Sequence, residues 1–282
     1  MNQDTMAQDS GAHDGANDGA NDSAHYEVLA IRYGTRMASA REVFLNFHTY
    51  SEADRPLGMD YFFWVARNSK RTVVVDTGFS PEGGASRGRT MLAPIAESLR
   101  SARVDAADVG QVVLTHAHYD HTGGLPAFEV SEVIMAREEY DFWTSPMARR
   151  ELFAHSAEAG EIEHLRALRG SGRLTLTGAT HEVAPGIELV QVRGHTPGQA
   201  VVIVATRTGR VVLTSDAVHY YEELERDRPF AVVADVPAMY AAFDLIREMG
   251  EDAGTRIVAG HDPQVMTRFA GRGGSSDVVV LS

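Results

Sequence analysis

The chain has no cysteine among its 282 residues, and this absence excludes several kinds of chemistry. Disulfide bonds, thiolate-held iron–sulfur clusters and cysteine nucleophiles all require a sulfur atom that this sequence does not supply. Any metal ion bound by the chain must therefore take imidazole nitrogens and carboxylate oxygens as its protein ligands. Such a ligand set suits zinc, iron, manganese or cobalt.

Basic residues are also scarce, since 26 Lys and Arg residues are outnumbered by 39 Asp and Glu residues and the formal net charge is −13. Binding to nucleic acids or to anionic membranes usually needs a basic surface. The sequence shows neither an apolar run long enough to span a bilayer nor a signal peptide. We therefore expect a cytoplasmic protein that acts on a small molecule, without nucleic-acid or membrane partners; a homodimer stays open.

The two ends of the chain differ in composition from the rest. Small and acidic residues repeat over residues 1–24, and because they bury little apolar area, a disordered N-terminal tail is predicted. A flexible C-terminal tail is predicted over residues 271–282, which begin with a Gly- and Ser-rich stretch; the apolar end of this tail leaves a docking strand open. No linker interrupts residues 25–270, so one domain is predicted there.

Short apolar runs alternate with segments of helical periodicity along this domain. Runs rich in β-branched residues and bounded by Gly, Asp or Thr predict buried strands. These are Tyr61–Val65, Thr72–Val75, Val112–Leu114, Val133–Met135, Ile187–Val192, Val201–Val204, Val211–Leu213 and Ile257–Val258. Helices are predicted over Thr90–Ser101, Ala136–Phe142, Arg149–Leu168 and Pro237–Met249. The alternation favours an α/β fold of stacked sheets with helices outside.

The densest group of metal-ligating residue types directly follows the run Val112–Leu114. Four such residues occur within six positions: His116, His118, Asp120 and His121. After a strand, the chain can curl so that the first two face one ion and the last two face a neighbouring ion. Packing four strongly hydrated groups together without a metal would leave them poorly paired. The cluster therefore predicts a metal site.

Three further residues occupy equivalent positions later in the chain. His195, Asp216 and His261 each follow shortly after the end of an apolar run. Short loops at strand ends hold side chains in fixed places, as a site assembled from distant parts of a sequence requires. We therefore predict that these residues join the four-residue cluster as metal ligands.

The order and spacing of these residues resemble those of the metallo-β-lactamase superfamily. The matching segments are His116–His121, Gly194–Gly198, Asp216, His261 and the Asp-Thr-Gly sequence at Asp76–Gly78. The resemblance implies an αββα sandwich of two mixed sheets flanked by helices, with two metals, most commonly zinc, in a cleft along one edge. It also implies that Asp76 steadies the ligand loop.

The same resemblance implies a division of the ligands between the two ions. His116, His118 and His195 would hold one ion; Asp120, His121 and His261 would hold the other; and Asp216 would bridge them. Metals arranged in this way generate hydroxide near neutral pH, and a bridging hydroxide is expected to attack a substrate carbonyl. Asp120 would in addition orient the nucleophile or move a proton. The predicted protein is a metal-dependent hydrolase.

Within the superfamily, the sequence resembles the N-acyl homoserine lactone lactonases, which implies quorum quenching as the role. Those enzymes carry a tyrosine three residues after the bridging Asp, aimed at the lactone carbonyl. This chain has His219 at that position and Tyr220 next, so either is a candidate catalytic residue. The alternatives are another small ester, thioester, amide or cyclic imide as substrate, and an iron-dependent redox protein of the same fold.

The predicted helical segment Arg149–Leu168 and the residues before it contain many aromatic and apolar side chains. Phe142, Trp143 and Phe153 are among them. Such residues can wall an apolar substrate pocket, although a stripe of this kind is more often a part of the core or a dimer contact.

Overall fold

A computed structural model describes residues 22–270 and 276–282. The predicted N-terminal tail lies outside the described residues except for Asp22–Ala24, which form a 3-10 turn. Residues 271–275 of the predicted C-terminal tail lie outside them as well. In the part of the chain that is described, no helix combines the length and the apolar character needed to cross a membrane.

Two mixed sheets form the centre of the molecule. The first sheet contains β1 (Glu27–Ser39), β2 (Pro56–Arg67), β3 (Thr72–Val75), β4 (Thr90–Met91), β5 (Gln111–Leu114), β6 (Glu132–Ala136), β7 (Leu174–Thr177) and β13 (Val278–Val280). Its strand order is β13-β1-β2-β3-β5-β6-β7, with β4 paired to β1. Strands β3, β5, β6 and β7 run parallel to one another, whereas β2 is antiparallel to both β1 and β3.

The second sheet has the order β12-β11-β10-β9-β8. Its strands are β8 (Thr180–Ala184), β9 (Ile187–Gln191), β10 (Ala200–Thr206), β11 (Gly209–Leu213) and β12 (Thr255–Val258). Strands β11 and β12 run parallel, so their carboxyl ends lie at the same edge. The side chains that follow these ends are thereby brought close together.

Helices cover the outer faces of both sheets. They are α1 (Ala40–Val43), α2 (Pro81–Ser86), α3 (Ile95–Ser101), α4 (Tyr119–Thr122), α5 (Arg137–Trp143), α6 (Glu151–Ala154), α7 (Ala159–Gly170), α8 (Tyr221–Arg226), α9 (Val236–Glu251) and α10 (Gln264–Arg268). Single 3-10 turns occur at Phe47–Tyr50, Ala106–Asp108, Leu125–Ala127, Met147–Arg149 and Ser215–Ala217.

Alternate residues of β2 divide the core into two layers. Phe63 packs in the cluster that contains Leu99 of α3 and Leu165 of α7, on the outer face of the first sheet. Its neighbour Trp64 packs between the sheets in the cluster that also contains Phe243 of α9. Successive strand residues point to opposite faces, so this pattern requires both faces of the first sheet to be covered. The predicted αββα sandwich is confirmed.

The last residues of the predicted C-terminal tail form a strand, which is the docking alternative that the sequence left open. Val278–Val280 form β13, which pairs antiparallel with Leu29–Ile31 of β1. The guanidinium of Arg32 donates to Asp277 at 2.6 and 2.9 Å and to Asp60 at 3.1 Å. The strand is ordered because it combines buried Val side chains with this ion pair at the edge of the sheet.

The predicted helices are present, but two have different bounds. The first helix begins only at Ile95, because Thr90–Met91 pair with β1 and Pro94 is the residue before the helix. The segment Arg149–Leu168 is interrupted between α6 and α7. At this interruption the carbonyl of Ser156 accepts a hydrogen bond from the amide of Tyr119, at 2.9 Å. The interruption thus supports the loop that carries the densest group of candidate ligands.

Candidate metal centre

Loops that follow strand ends of both sheets bring the seven predicted ligands together. His116 follows β5, Asp216 follows β11 and His261 follows β12. The side chains form two groups, and the candidate ligand atoms within each group lie within 4.8 Å of one another. One group contains His116, His118, His195 and Asp216, and the other contains Asp120, His121 and His261. All seven side chains are buried.

Asp216 lies between the two groups and presents one carboxylate oxygen to each. Its Oδ2 is 3.2 Å from His195 Nε2 and 3.6 Å from His116 Nε2. Its Oδ1 is 2.9 Å from His261 Nε2 and 3.2 Å from His121 Nε2. This geometry suits a carboxylate that is shared by two neighbouring ions.

Hydrogen bonds outside the centre orient three of the imidazole rings. The Nδ1 atom of His195 lies 2.8 Å from the carbonyl oxygen of Val232, and that of His261 lies 2.8 Å from the carbonyl oxygen of Asp60. The Nδ1 atom of His121 lies 2.8 Å from Asp76 Oδ2. A ring whose Nδ1–H is held in this way keeps its Nε2 lone pair for a metal ion.

The imidazole nitrogens that face the centre are better placed to bind metal ions than to form hydrogen bonds with one another. His118 directs its Nδ1 towards His195 Nε2, at 2.9 Å. His116 Nε2 and His121 Nε2 are buried without a hydrogen-bond partner among the described residues. Buried polar atoms normally have partners, so unpaired nitrogens directed at a shared carboxylate indicate ligands. The imidazole and carboxylate set therefore fits two divalent ions of the kind that nitrogen and oxygen ligands prefer.

The protonation states favour ligation on one side of the centre. Burial lowers the pKa of His116 and of His118 well below the usual histidine value, and burial also lowers the pKa of His195. These three rings are consequently neutral at pH 7. A neutral imidazole has a free lone pair, which is the form that binds a metal.

Asp76 connects three segments around the centre. It stands at the end of β3 with a left-handed φ of 59°, a conformation that Asp tolerates better than most residues. Its carboxylate accepts hydrogen bonds from the Thr115 amide at 2.8 Å and from the Ser215 hydroxyl at 3.1 Å, and it holds His121. This arrangement agrees with the steadying role that the sequence resemblance implied for Asp76.

His219 lies at the centre. Its Nε2 is 3.1 Å from Asp216 Oδ2 and its Nδ1 is 3.4 Å from Glu223 Oε1. The ring stacks on Phe230 at a centroid distance of 3.7 Å. Burial lowers the pKa of His219, but the charges of Asp216 and Glu223 outweigh burial and raise it to about 9.

Tyr220 is the one predicted site residue that the structure does not bring to the centre. Its hydroxyl donates to the carbonyl oxygen of Gly58 at 3.1 Å, and its ring packs near Phe44. Because its only polar side-chain atom is directed to the backbone of β2, the structure favours His219 over Tyr220 as the candidate at a substrate carbonyl. The backbone at Tyr220 is extended, so the side chains of His219 and Tyr220 point to opposite sides of the chain.

Sequence reasoning missed Glu223 and Ser215, whose side chains contact His219 and Asp76 respectively. Glu223 is fully buried in α8, four residues after His219. Its carboxylate accepts the backbone N–H of Tyr220, the residue before the helix, at 2.9 Å, and a Glu at the third position of a helix was the signal available in the sequence. Ser215 precedes Asp216 and bonds to Asp76, but a serine in a loop has no pattern that distinguishes it.

An apolar cavity of about 210 Å³ opens beside His118 and His195. Phe142, Trp143 and Phe153 line one side, and residues 231–234 line the other. The aromatic residues of the predicted helical segment thus contribute to a pocket wall, and they also pack against the core. Apolar walls next to a few polar groups are typical of a small-molecule site.

Comparisons with known proteins agree with this arrangement. The profile of the metallo-beta-lactamase superfamily matches residues 59–261. An N-acyl homoserine lactonase of Bacillus thuringiensis is 28% identical over 169 residues, which cover 60% of this chain and 62% of that protein. A lactonase of the same name from a Bacillus species is 29% identical over 138 residues, which cover 49% of this chain and 50% of that protein. The matched region thus spans about half to three fifths of these relatives.

Two solved structures share the fold. One is an N-acyl homoserine lactone hydrolase with N-hexanoyl-L-homoserine bound at its catalytic metal centre; it is 23% identical, with a TM-score of 0.72 over 86% of this chain and 96% of that chain. The other is the dizinc quorum-quenching lactonase AidC, 18% identical, with a TM-score of 0.67 over 86% of this chain and 92% of that chain.

Proposed function

Because the chain belongs to the metallo-β-lactamase superfamily, we propose that it is a metal-dependent hydrolase that opens the ring of N-acyl homoserine lactones. The observation that carries the proposal is the placement of Asp216 between two buried ligand groups. The relatives named N-acyl homoserine lactonases support the substrate class. Quorum quenching would be the biological consequence. Zinc as the native ion, a cytoplasmic location and a homodimer stay predictions.

Each ligand group would hold one of two ions. His116, His118 and His195 would hold one ion, Asp120, His121 and His261 the other, and Asp216 both. Divalent ions bound in this way supply a water of lowered pKa and polarise a carbonyl oxygen. The remaining work of the reaction falls to side chains of the chain itself.

Asp120 and His219 are the side chains proposed to act on protons and on the substrate. Asp120 Oδ1 is 3.9 Å from His121 Nε2 and Asp120 Oδ2 is 4.0 Å from His261 Nε2, so the carboxylate faces the centre without a close partner there. It would take the proton from the attacking water and return it to the ring oxygen when the acyl C–O bond breaks. His219 would hydrogen-bond the carbonyl oxygen as it gains charge.

The apolar cavity beside His118 and His195 would receive the acyl chain. Its position next to one ligand group places an apolar substituent within reach while the lactone ring lies at the metals. Leu152 borders the cavity and is 73% exposed. An exposed leucine at a cavity mouth gains burial when an apolar chain binds, which favours acylated over unsubstituted lactones.

A pH-indicator assay on zinc-loaded and cobalt-loaded protein tests the proposal. The substrates are N-hexanoyl and N-dodecanoyl homoserine lactone, an unsubstituted γ-lactone and p-nitrophenyl acetate. We expect turnover of the acylated lactones that is lost with a chelator and restored by metal. Turnover of only the aryl ester would assign another ester as substrate. Oxygen uptake by an iron-loaded protein without hydrolysis would contradict the hydrolase itself.

A further inference from the structure

Glu139 is a fully buried carboxylate in the first turn of α5. Its side chain accepts four hydrogen bonds. Oε1 accepts from the Ala117 amide at 2.9 Å and from Trp143 Nε1 at 2.6 Å. Oε2 accepts from the Thr196 hydroxyl at 2.7 Å and from the Gly198 amide at 2.9 Å. A charged group in the interior is stable only when it is paired in this way.

Three of the four donors belong to the two loops that carry one ligand group, and the fourth, Trp143, belongs to α5 itself. Ala117 lies between His116 and His118, in the loop after β5 of the first sheet. Thr196 directly follows His195, in the loop between β9 and β10 of the second sheet. One carboxylate therefore joins loops from two different sheets. His118 and His195, whose ring nitrogens are 2.9 Å apart, lie on either side of this connection.

Close packing fixes the position of the loop at Gly198 against Glu139. A Cβ atom added to Gly198 would lie 2.2 Å from the amide nitrogen of Glu139, so only glycine allows this approach. Trp143 donates to Glu139 and stands with its ring centroid 5.3 Å from that of His118. The ring of Trp143 thereby packs edge-on against the ring of His118.

Glu139 itself contributes no atom to either ligand group. Its oxygens are occupied by their four donors, and its loop donors are neighbours of His116, His118 and His195 in the chain. The rings of His121 and His261 contact Asp76 and the backbone of Asp60 instead. Glu139 therefore directly supports the loops beside the first ligand group, although Asp76 also bonds to Thr115 at the start of the loop after β5.

We propose that Glu139 is a positioning residue that holds His118 and His195 at the separation needed for one ion, and that its loss weakens metal binding at this ligand group more than at the other. The inference rests on the two-metal centre of the proposed function. Residues that support metal ligands from outside the coordination shell commonly change metal affinity by about 10–100-fold when they are replaced.

Glu139→Gln tests the proposal, since glutamine keeps the size of the side chain but replaces one acceptor oxygen with a donor. Zinc affinity is measured by chelator competition, and cobalt absorption spectra report the ligand environment. We expect the affinity for one ion to fall tenfold or more with a changed cobalt spectrum, while the affinity for the other ion stays within twofold. Unchanged affinities for both ions, or an equal loss at both, would overturn the proposal.

Glu138→Gln is the matched control. Glu138 is the preceding residue of α5, but its exposed carboxylate bonds to Gln191 and Arg193 on the surface. Both zinc affinities should equal those of the unmodified chain. If Glu139→Gln does not fold, Thr196→Val removes a single donor from the same carboxylate, and a smaller loss at the same ion is expected. No change in Thr196→Val would then count against the proposal.

The outcome is separable from that of the lactonase assay. Zinc affinity is measured without substrate, so a chain that binds two ions but opens no lactone ring would end the proposed function and leave the Glu139 inference testable. Conversely, lactone turnover with a normal two-ion affinity profile in Glu139→Gln would retain the function and reject the positioning role.

Discussion

Asp76 is a single buried carboxylate that bonds to two other segments of the chain, the one after β5 and the one after β11. Asp76→Ala would leave the Thr115 amide and the His121 ring without their partner. We expect zinc affinity to fall by about 10–100-fold and the free energy of unfolding by about 2 kcal/mol or more. Chelator competition and urea unfolding measure the two effects.

The control for Asp76→Ala is Asp105→Ala. Asp105 accepts a hydrogen bond from the Ala107 amide at 3.0 Å and caps a 3-10 turn at the surface. This turn precedes β5, whereas the ligand loop follows the other end of that strand. Its replacement should cost about 1 kcal/mol of stability and leave zinc binding as it was. Equal zinc affinity in the two variants would show that Asp76 does not support the centre.

His219 and Tyr220 are neighbours in sequence with different surroundings, and this difference predicts different kinetics. Among the described residues, His219 alone places a ring nitrogen near Asp216 Oδ2 without belonging to either ligand group. In His219→Phe, turnover of the lactone should therefore fall tenfold or more with zinc content retained. Tyr220→Phe removes a hydrogen bond to Gly58 and should lower stability by about 1 kcal/mol with little change in turnover. A larger kinetic effect in Tyr220→Phe would reverse the assignment.

The grouping of the seven candidate ligands was predictable from the sequence, and the different surroundings of His219 and Tyr220 were not. Each ligand follows an apolar run, and strand ends at a common edge bring such residues together. The orientation of Tyr220 depends on a carbonyl of Gly58, which is 162 residues away in the chain. Glu139 stood in a predicted helix, but its four donors come mostly from loops whose positions only the tertiary fold determines.

At the scale of the elements, α7 contacts the ligand loop through Glu161. The carboxylate of Glu161 accepts a hydrogen bond from Thr122, which directly follows His121 in the chain. Burial raises the pKa of Glu161 from 4.5 to about 7. The folded chain therefore holds this proton more tightly than the unfolded chain does, so the associated stability is complete below pH 4.5 and is lost as the pH rises through about 7.

Glu161→Gln should remove this dependence, because the amide is neutral at every pH. The free energy of unfolding of the variant, relative to that of the unmodified chain, should rise by about 2 kcal/mol between pH 5 and pH 8. Urea unfolding at both pH values measures it. Glu163→Gln, on the exposed side of α7, should show no such rise. A constant difference between Glu161→Gln and the unmodified chain would contradict the argument.

Among the described strands, apolar runs predicted β2, β3, β5, β6, β9, β10, β11 and β12 but missed β1, β4, β7, β8 and β13. β1 contains Arg32 and Arg36, and its register shifts between Arg32 and Gly34, which obscures the alternation that identifies a strand. β13 follows a Gly- and Ser-rich stretch and has its partner about 250 positions earlier in the chain. Neither its ion pair with Arg32 nor its place at the sheet edge can be predicted from local composition.

For the molecule as a whole, the arrangement of the layers places the metal centre. The carboxyl ends of β3 and β5 in one sheet face those of β11 and β12 in the other. Residues from both sheets are therefore needed for each ligand group. The family resemblance predicted this architecture, because the ligand order along the chain is tied to the order of the strands, while periodicity alone predicted only stacked sheets.

Zinc stoichiometry is the measurement that tests the two-ion centre most directly. Protein freed of metal by a chelator is dialysed against buffered zinc, and bound zinc per chain is measured by mass spectrometry. We predict two ions per chain for the unmodified protein and fewer than two for Asp216→Ala, because both groups share this carboxylate. A saturating value of one ion or none, or two ions in Asp216→Ala, would contradict the account.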